Sequence, residues 1–467
     1  MRYQSTRGNA DNKTFRDVLT EGLAHDGGLY VPSYFPALDM AALRAQRDKP
    51  YVFFAEHIMR HFVGDDMTPA QLSDILNRIY NPGLFQDKRI TPMVTLDDNL
   101  AVLELFHGPT LAFKDIALQL LGALFDHALE TDHKTMTIIG ATSGDTGSAA
   151  IEGVKNCKNA RIFILHPHNR TSEVQRRQMT TVIADNVFNI AVEGSFDDCQ
   201  NIVKDLFNDQ DFRNAHHLSA VNSINWARVM AQIVYYVYAA AQYDTPVRFA
   251  VPTGNFGNIY AAYVAKRMGV PIDKLIIGSN RNDILTRFFK TGIMAATTVE
   301  PSLSPSMDIQ ISSNLERYLF DLFNRDAAHL SDFMNGFKQT ATASVPDEIM
   351  NKAREIFAAY KCDDDMTLQT ITDIARDYHY VCDPHTAVGV SAALQYRQEF
   401  GDEGIPTIAL ACAHPAKFPD AVERATGERP ALPPFLADLL KREERYSILP
   451  ADTDSIREFI NRSSLQT

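Results

Sequence analysis

The chain has 467 residues, 45% of them hydrophobic and 22% charged, which is typical of a soluble globular protein with two or three domains. Its formal net charge of −13 disfavours non-specific nucleic-acid binding, because phosphate backbones are bound by basic patches. The five cysteines are scattered and form no CxxC pair, so thiols in a reducing compartment are favoured over disulfides or a zinc site.

No targeting, membrane or metal-binding segment is predicted. The first eight residues contain no apolar run of the signal-peptide type. The most apolar stretch, residues 231–241, contains tyrosine and glutamine and is too short to span a bilayer. The fourteen histidines show neither an HExxH motif nor ligand spacing with cysteines, so we expect no metal. These features predict a cytoplasmic protein that binds neither nucleic acid nor membrane.

The first 96 residues predict a mainly helical segment. A turn signal at residues 26–28 precedes a short apolar run that stops at Pro32. Thr68 and Pro69 are residue types favoured at the N-cap and at the first helical position, and apolar residues recur behind them at helical spacing.

From about residue 100 the pattern alternates between strand and helix. Buried strands are predicted at residues 100–105, 135–139, 161–165, 187–192, 247–251, 274–278 and 406–411. Helical patterns separate most of them, which predicts βαβ units and a parallel sheet. Residues 291–345 have a mixed pattern that predicts no defined element.

A lysine stands where the first of these strands gives way to a helix. Lys114 lies in residues 107–115 (HGPTLAFKD), after a Gly-Pro turn and next to Phe113. Apolar neighbours would remove water from the amine, which disfavours its charged form and makes it a better nucleophile. Taken alone, the motif more often marks a surface lysine at a helix start.

Two glycine-containing loops follow later strands and open helices. Residues 254–258 (GNFGN) would turn backbone N–H groups toward one point at a helix start, which suits a phosphate. They match neither a Walker A loop nor the GxGxxG of dinucleotide folds. Residues 142–147 (TSGDTG) are richer in hydroxyl groups and suit a carboxylate. A tight turn without a ligand and an ordinary capped helix are the respective alternatives.

Two further polar groups complete the set. Residues 222–228 (NSINWAR) place amide, hydroxyl and guanidinium donors at the start of a long helix, where Arg228 can grip an anion with two N–H groups. A capped helix with a surface arginine explains that pattern equally well. Residues 412–417 follow the last predicted strand. Parallel sheets bind ligands at the carboxyl ends of their strands, so the lysine and the loops that follow strands predict an active site there.

Together these motifs resemble the threonine synthase family, which belongs to the pyridoxal-phosphate (PLP) enzymes of fold type II, the group of the tryptophan synthase β-subunit. The similarity covers nearly the whole chain and includes a family-like N-terminal stretch at residues 22–32 (GLAHDGGLYVP). The combination of residues 105–115 (LFHGPTLAFKD) and 413–418 (AHPAKF) is specific.

The resemblance implies an α/β fold of PLP fold type II, with open, mostly parallel sheets flanked by helices and a mainly helical N-terminal domain. That family-type domain would span residues 1–96. A PLP-dependent catalytic region would span 97–430, in two α/β subdomains with the site between them, and a C-terminal helical tail would span 431–467.

The resemblance also implies a role for each site residue. Lys114 would bind PLP covalently and carry protons. The other cofactor contacts would be Phe113, Asp145, Gly254, Asn255, Phe256, Gly257, Asn258 and Cys412, with Asp145 near the phenolic oxygen. The substrate carboxylate would be bound by Ser143, Gly144, Thr146 and Gly147. The substrate phosphate would be bound by Asn222, Ser223, Asn225, Arg228 and Lys417.

One site residue departs from the family pattern. Cys412 occupies the position beside the pyridine nitrogen where the family usually has threonine. A thiol is a weaker hydrogen-bond partner than a hydroxyl. We therefore expect a weaker contact with the cofactor ring at this position.

The family reaction converts O-phospho-L-homoserine and water into L-threonine and phosphate, the last step of threonine biosynthesis, by a PLP-dependent carbon–oxygen lyase acting on phosphates. A serine/threonine dehydratase or a phospho-hydroxyamino-acid lyase of the same fold would keep Lys114 and residues 254–258 but not every second-site donor. A non-catalytic PLP-binding homologue is the alternative from another class, and the presence of Lys114 argues against it. A monomer or a homodimer is expected.

Overall fold

The computed structural model describes residues 1–10 and 12–464, which form two compact units. Unit 1 comprises residues 1–18, 22–113 and 223–430. Unit 2 comprises residues 19–21, 114–222 and 431–467. No helix in the described ranges is both long enough and apolar enough to cross a membrane.

The elements are numbered in chain order. The strands are β1 (Tyr3–Ser5), β2 (Tyr30–Pro32), β3 (Met93–Asp97), β4 (Leu100–Glu104), β5 (Met136–Ala141), β6 (Ala160–Pro167), β7 (Val187–Glu193), β8 (Leu218–Ser219), β9 (Val247–Pro252), β10 (Ile272–Ser279), β11 (Ile293–Ala295), β12 (Thr342–Ser344), β13 (Phe357–Lys361), β14 (Thr407–Ala411) and β15 (Ser447–Pro450). The helices are α1 (Phe15–Glu21), α2 (Met40–Arg44), α3 (Tyr51–Val63), α4 (Pro69–Ile79), α5 (Lys114–Asp132), α6 (Asp145–Val154), α7 (Glu173–Thr180), α8 (Phe196–Asn208), α9 (Gln210–Ala215), α10 (Trp226–Ala240), α11 (Gly257–Arg267), α12 (Ile284–Thr291), α13 (Leu315–Leu322), α14 (Ala327–Thr340), α15 (Asp347–Ile356), α16 (Asp364–Tyr378), α17 (Pro384–Phe400), α18 (Pro419–Thr426) and α19 (Thr453–Ser464).

Unit 1 is built on a six-stranded sheet in the order β13-β10-β9-β14-β4-β3. β3 runs antiparallel to β4, and the other neighbours are parallel. Apolar residues of β4, β9, β10 and β14 pack with residues of α17 such as Val390 and Tyr396 in one buried core. Since β4, β9 and β14 run in the same direction, the segments that follow them begin at one edge of this sheet.

The N-terminal part of unit 1 is mainly helical, as predicted. α4 begins at Pro69, and the Thr68 hydroxyl and the Gln71 side chain form a capping box in front of it. β1 and β2 pair antiparallel. α3 packs on α10, with the ring centroids of Phe62 and Trp226 5.6 Å apart. This packing anchors the N-terminal helices to the rest of unit 1.

Unit 2 contains a five-stranded parallel sheet in the order β15-β7-β6-β5-β8. Its core joins buried residues of β5, β6, β7 and α8 to Ile456 and Ile460 of α19. β15 pairs in parallel with β7 along one edge. The segment 431–467, predicted as a helical tail, therefore supplies an edge strand as well as α19.

Candidate active site

In unit 1, the lysine motif and the AHPAKF motif pair through their backbones. The N–H group of Phe113 donates to the Cys412 carbonyl at 2.8 Å, and that of His414 donates to the Leu111 carbonyl at 3.0 Å. Leu111 has φ = 61°, a left-handed conformation that costs a non-glycine residue energy. The pairing thus fixes a strained turn just before Lys114.

Lys417 supports the same turn. Its side chain is fully buried, and its Nζ donates to the Thr110 carbonyl at 2.7 Å. A charge-assisted hydrogen bond of this kind is stronger than one between neutral groups. The ammonium group therefore places a positive charge at the turn that leads into Lys114.

Residues 254–258 follow β9 and open α11, as the sequence predicts. A Cβ atom on Gly254 would lie 3.1 Å from the Ser306 carbonyl oxygen, so only glycine fits without displacing that backbone. Phe256 has φ = 61°, and its buried ring stacks on Phe289 with 5.9 Å between centroids. Phe256 therefore shapes the loop through its backbone, while its side chain anchors the loop in the core.

Residues of the segment 291–345, for which the sequence predicted no defined element, form hydrogen bonds with this loop. The Ser312 hydroxyl donates to the Gly254 carbonyl at 2.7 Å. Asn314 donates to the Asn255 carbonyl through both its backbone N–H and its Nδ2 group, each at 3.1 Å. The same Nδ2 group lies 3.2 Å from the Ser223 carbonyl. Asn314 therefore links the glycine loop to the polar segment at the start of α10.

Arg317 strengthens that link. It is fully buried, and its Nε donates to the Tyr30 carbonyl at 2.9 Å. Its two terminal nitrogens donate to the Asn314 side chain and to the Ile224 carbonyl. Loss of hydration lowers the pKa of this guanidinium to about 10. Ser312, Asn314 and Arg317 were not predicted, because each acts through tertiary contacts in residues 291–345, where the sequence predicted no element but the structure has α13.

The polar segment at the start of α10 contains a helix cap, Asn225, and a buried hydrogen-bond donor, Arg228. Asn225 is the N-cap of α10, and its Oδ1 accepts from the Ala227 N–H at 3.0 Å, as the capped-helix alternative expects. Arg228 is not a surface residue, since it is only 3% exposed. Burial lowers the pKa of Arg228 to about 10, an effect that the nearby Tyr235 opposes.

Two of the site residues predicted from the sequence, both in unit 1, keep buried donors that have no partner among the described residues. These donors are Nε and Nη1 of Arg228 and Nδ2 of Asn258. A buried donor that remains unsatisfied costs about 1–3 kcal/mol. Anionic groups that accept these hydrogen bonds would recover that cost, so the donors of Arg228 and those of Asn258 each fit a phosphate.

In unit 2, Lys114 is the first residue of α5 and is 8% exposed. Its Nζ lies 3.4 Å from Oδ2 of Asp145, the first residue of α6. The Gln175 amide donates to the other carboxylate oxygen of Asp145 at 3.0 Å. Asp145 thus holds the lysine amine at the start of two helices, and Gln175, which sequence analysis missed, holds Asp145.

The hydroxyl-rich loop of unit 2 is held by its own first residue. Thr142 Oγ1 accepts from the N–H groups of Gly144 at 3.0 Å and of Gly147 at 2.9 Å. A Cβ atom on Gly147 would lie 2.4 Å from the Thr142 methyl group. Ser143 is exposed and Thr146 is half-buried. The hydroxyls of Ser143 and Thr146 are therefore better placed to meet a ligand than the Gly144 and Gly147 amides.

Replacing Thr142 with valine is expected to lower the free energy of unfolding by about 1–3 kcal/mol, because two backbone N–H groups lose their acceptor while side-chain volume is kept. Urea unfolding of the purified protein measures the change. Thr91→Val is the matched control, since the buried Thr91 hydroxyl has no partner among the described residues. Equal stability of Thr142→Val and the parent protein would contradict the expected role of the hydroxyl.

Each unit, taken by itself, offers groups that suit one functional group of a cofactor: a carbonyl group in unit 2 and a phosphate in unit 1. Unit 2 offers the buried Lys114 amine beside a carboxylate. Unit 1 offers a glycine loop at a helix start together with buried donors that need an anion. PLP has both groups, and the mostly parallel α/β architecture is that of fold type II. The chain is therefore a PLP-dependent enzyme of this fold type.

Comparison with known proteins narrows the class to one family. Sequence profiles match at residues 2–80 ("Threonine synthase N terminus"), 84–332 ("Pyridoxal-phosphate dependent enzyme") and 386–460 ("Threonine synthase, C-terminal"). The threonine synthase of Pseudomonas aeruginosa is 50% identical over 99% of this chain and 98% of its own length.

Solved structures agree with this result. PLP-bound threonine synthase from Brucella melitensis superimposes with a TM-score of 0.96 at 46% identity, covering 99% of both chains. Threonine synthase from yeast gives a TM-score of 0.95 at 39% identity, covering 100% of this chain and 99% of its own. The chain therefore belongs to the threonine synthase family. It is a PLP-dependent lyase with threonine synthase activity, as the motifs predict.

Proposed function

We propose that the substrate is O-phospho-L-homoserine and that the reaction with water yields L-threonine and inorganic phosphate. The observation that carries this proposal is the buried Arg228, whose Nε and Nη1 lack a partner among the described residues. Residues 254–258 form a separate loop that suits the cofactor phosphate. A second buried cationic donor set implies a second phosphate, which belongs to the substrate.

We propose that different groups of residues bind the cofactor phosphate, the substrate phosphate and the substrate carboxylate. Gly254, Asn255, Gly257 and Asn258 hold the cofactor phosphate, with Phe256 shaping the loop. Asn222, Ser223 and Arg228 hold the substrate phosphate, and Asn225 orders that segment as a helix cap. Lys417 adds its charge from the turn before Lys114. Ser143, Gly144, Thr146 and Gly147 form the loop that receives the substrate carboxylate, and Phe113 and Cys412 lie beside the cofactor ring.

In this mechanism the chain's residues mainly move protons and hold anions. Bound PLP supplies an electron sink for the negative charge that develops on the substrate carbon skeleton. Lys114, as a neutral amine, removes the proton from the substrate Cα and returns protons later. Asp145 holds Lys114 within reach of that carbon. Arg228 binds the phosphate that departs from Cγ, and water then adds at Cβ.

The direct test supplies purified enzyme with O-phospho-L-homoserine and measures inorganic phosphate and threonine together. Equal amounts of the two products are expected. Phosphate released together with a keto acid would instead indicate a phospho-hydroxyamino-acid lyase. Comparable turnover of unphosphorylated serine or threonine would indicate a dehydratase.

Replacing Cys412 with threonine is expected to preserve activity and to tighten PLP binding, by at most about 1 kcal/mol or less than tenfold in Kd. The reason is that a hydroxyl meets a ring nitrogen better than a thiol does. Titration of cofactor-free protein with PLP measures the change, and Cys412→Ala shows what the thiol contributes by itself. Complete loss of activity in Cys412→Thr would reveal a role specific to the thiol.

We also propose a cytoplasmic enzyme that acts as a monomer or a homodimer. All five cysteines are buried and none of them forms a disulfide in the described part of the chain, which suits a reducing compartment. Light scattering of the purified protein decides the oligomeric state. An intermolecular disulfide in freshly prepared protein would argue against the proposed compartment.

A further inference from the structure

Two adjacent tyrosines of α10 converge on one amide of the cofactor loop. Tyr235 and Tyr236 are both fully buried. The Tyr236 hydroxyl donates to Oδ1 of Asn258 at 2.7 Å, and the Tyr235 hydroxyl donates to the same oxygen. An amide oxygen has two lone pairs, so these hydrogen bonds saturate it.

This arrangement determines which end of the amide remains available. Because Oδ1 is occupied, the amide cannot turn over without breaking both hydrogen bonds. Its Nδ2 group is the buried donor of Asn258 that has no partner within the described ranges. Asn258 lies in the first turn of α11, where backbone N–H groups and the helix dipole also favour an anion.

We propose that Tyr235 and Tyr236 are positioning residues that lock the Asn258 amide with Nδ2 as a donor to the cofactor phosphate. The inference rests on the proposed placement of that phosphate at residues 254–258. Without the hydroxyls, the amide is free to present Oδ1, which repels a phosphate oxygen. The tyrosines thus raise cofactor affinity without touching the cofactor.

The surroundings keep both hydroxyls in the donor form. Burial raises the pKa of Tyr235 and of Tyr236 well above the usual value, and the nearby Cys412 acts in the same direction. Both side chains therefore stay protonated across the neutral range. The rings also hold each other in place, with 4.8 Å between their centroids, and Tyr236 packs edge-on against Phe249.

The test compares the binding of PLP and of pyridoxal, which lacks the phosphate, to the full chain stripped of cofactor. Tyr235→Phe and Tyr236→Phe each remove one hydroxyl and keep the ring. We expect each to raise the Kd for PLP about fivefold, as for loss of one neutral hydrogen bond that orients the amide, and to leave the Kd for pyridoxal unchanged. The double variant is expected to lose more than either single variant, and the single variants decide the test if the double variant does not fold.

Tyr260→Phe is the matched control. Tyr260 is equally buried and lies on α11, two residues after Asn258, but its hydroxyl has no partner in the described part of the chain. Its removal should leave both Kd values unchanged. Asn258→Ala is the reference variant, because it removes the proposed donor itself and should weaken PLP binding at least as much as either tyrosine variant.

The outcomes separate this inference from the placement on which it rests. If Asn258→Ala weakens PLP binding but neither tyrosine variant does, the positioning role is overturned and the placement stands. If Asn258→Ala also leaves PLP binding unchanged, the placement of the phosphate is wrong. If the tyrosine variants weaken PLP and pyridoxal equally, the hydroxyls only maintain the fold, and the inference is again overturned.

Discussion

Lys114→Ala is expected to abolish covalent attachment of PLP and to lower turnover at least about a thousandfold, since the residue is proposed to serve both as the attachment point and as the proton carrier. No other residue type in the chain forms the same bond, and Lys114 is the lysine buried against Asp145 at 3.4 Å. Borohydride reduction of the loaded protein, followed by peptide mass spectrometry, identifies the modified lysine. The parent protein should be yellow and carry the label on Lys114.

Two further variants separate the covalent role from the charge. Lys114→Arg keeps a cation beside Asp145 but forms no bond to the cofactor, so it should be as inactive as Lys114→Ala and better folded. Lys134→Ala removes a largely exposed lysine of the same unit and should change nothing. A borohydride-fixed cofactor on any lysine of the Lys114→Ala protein would show that the assignment is wrong.

The strands that frame the site were predictable because they are buried on both faces. β5, β6, β7, β9, β10 and β14 each read in the sequence as a short apolar run, and all are confirmed. β13 (FAAYK) was missed although it joins the same sheet as β9 and β10. It is a short edge strand that directly follows α15, so its apolar residues merge with the helical pattern.

The candidate site was predictable only where the backbone dictates the residue type. A Cβ atom on Gly254 or Gly147 would lie too close to neighbouring atoms, so glycine is favoured at both positions. Glycines at the start of a helix are easily recognised in a sequence. The sequence also singled out Arg228 but left open that it is a surface arginine, because its burial depends on tertiary packing around α10 rather than on local pattern. Gln175 and Asn314 gave no signal, since their role is to hold other site residues across long sequence separations.

Arg228→Ala is expected to lower kcat/KM for O-phospho-L-homoserine about 30-fold or more. Loss of a charged donor to a buried phosphate costs about 2–5 kcal/mol by analogy with buried charge pairs, and each 1.4 kcal/mol is tenfold. The cofactor absorbance should be nearly unchanged, because the loop proposed to bind the cofactor phosphate, residues 254–258, does not include Arg228. Steady-state phosphate release and a PLP titration of the same variant measure the two effects.

Two variants test whether charge, geometry or folding accounts for the loss. Arg228→Lys keeps the charge but not the planar fork of donors, so an intermediate kcat/KM is expected. Arg248→Ala is the control for a buried guanidinium with another task, since Arg248 is paired with Asp273 and Glu403. It should lower stability while the folded fraction keeps its kcat/KM.

Whether Arg228 binds the substrate phosphate is decided by comparing the loss of activity of Arg228→Ala on phosphorylated and on unphosphorylated substrates. An acidic chain of net charge −13 repels a substrate dianion at long range, so local donors must overcome that repulsion. Removing one of them should therefore cost most with phosphohomoserine and little with an unphosphorylated amino acid at the same site. Unchanged turnover of phosphohomoserine by Arg228→Ala, or an equal loss with both kinds of substrate, would assign the second phosphate to other residues.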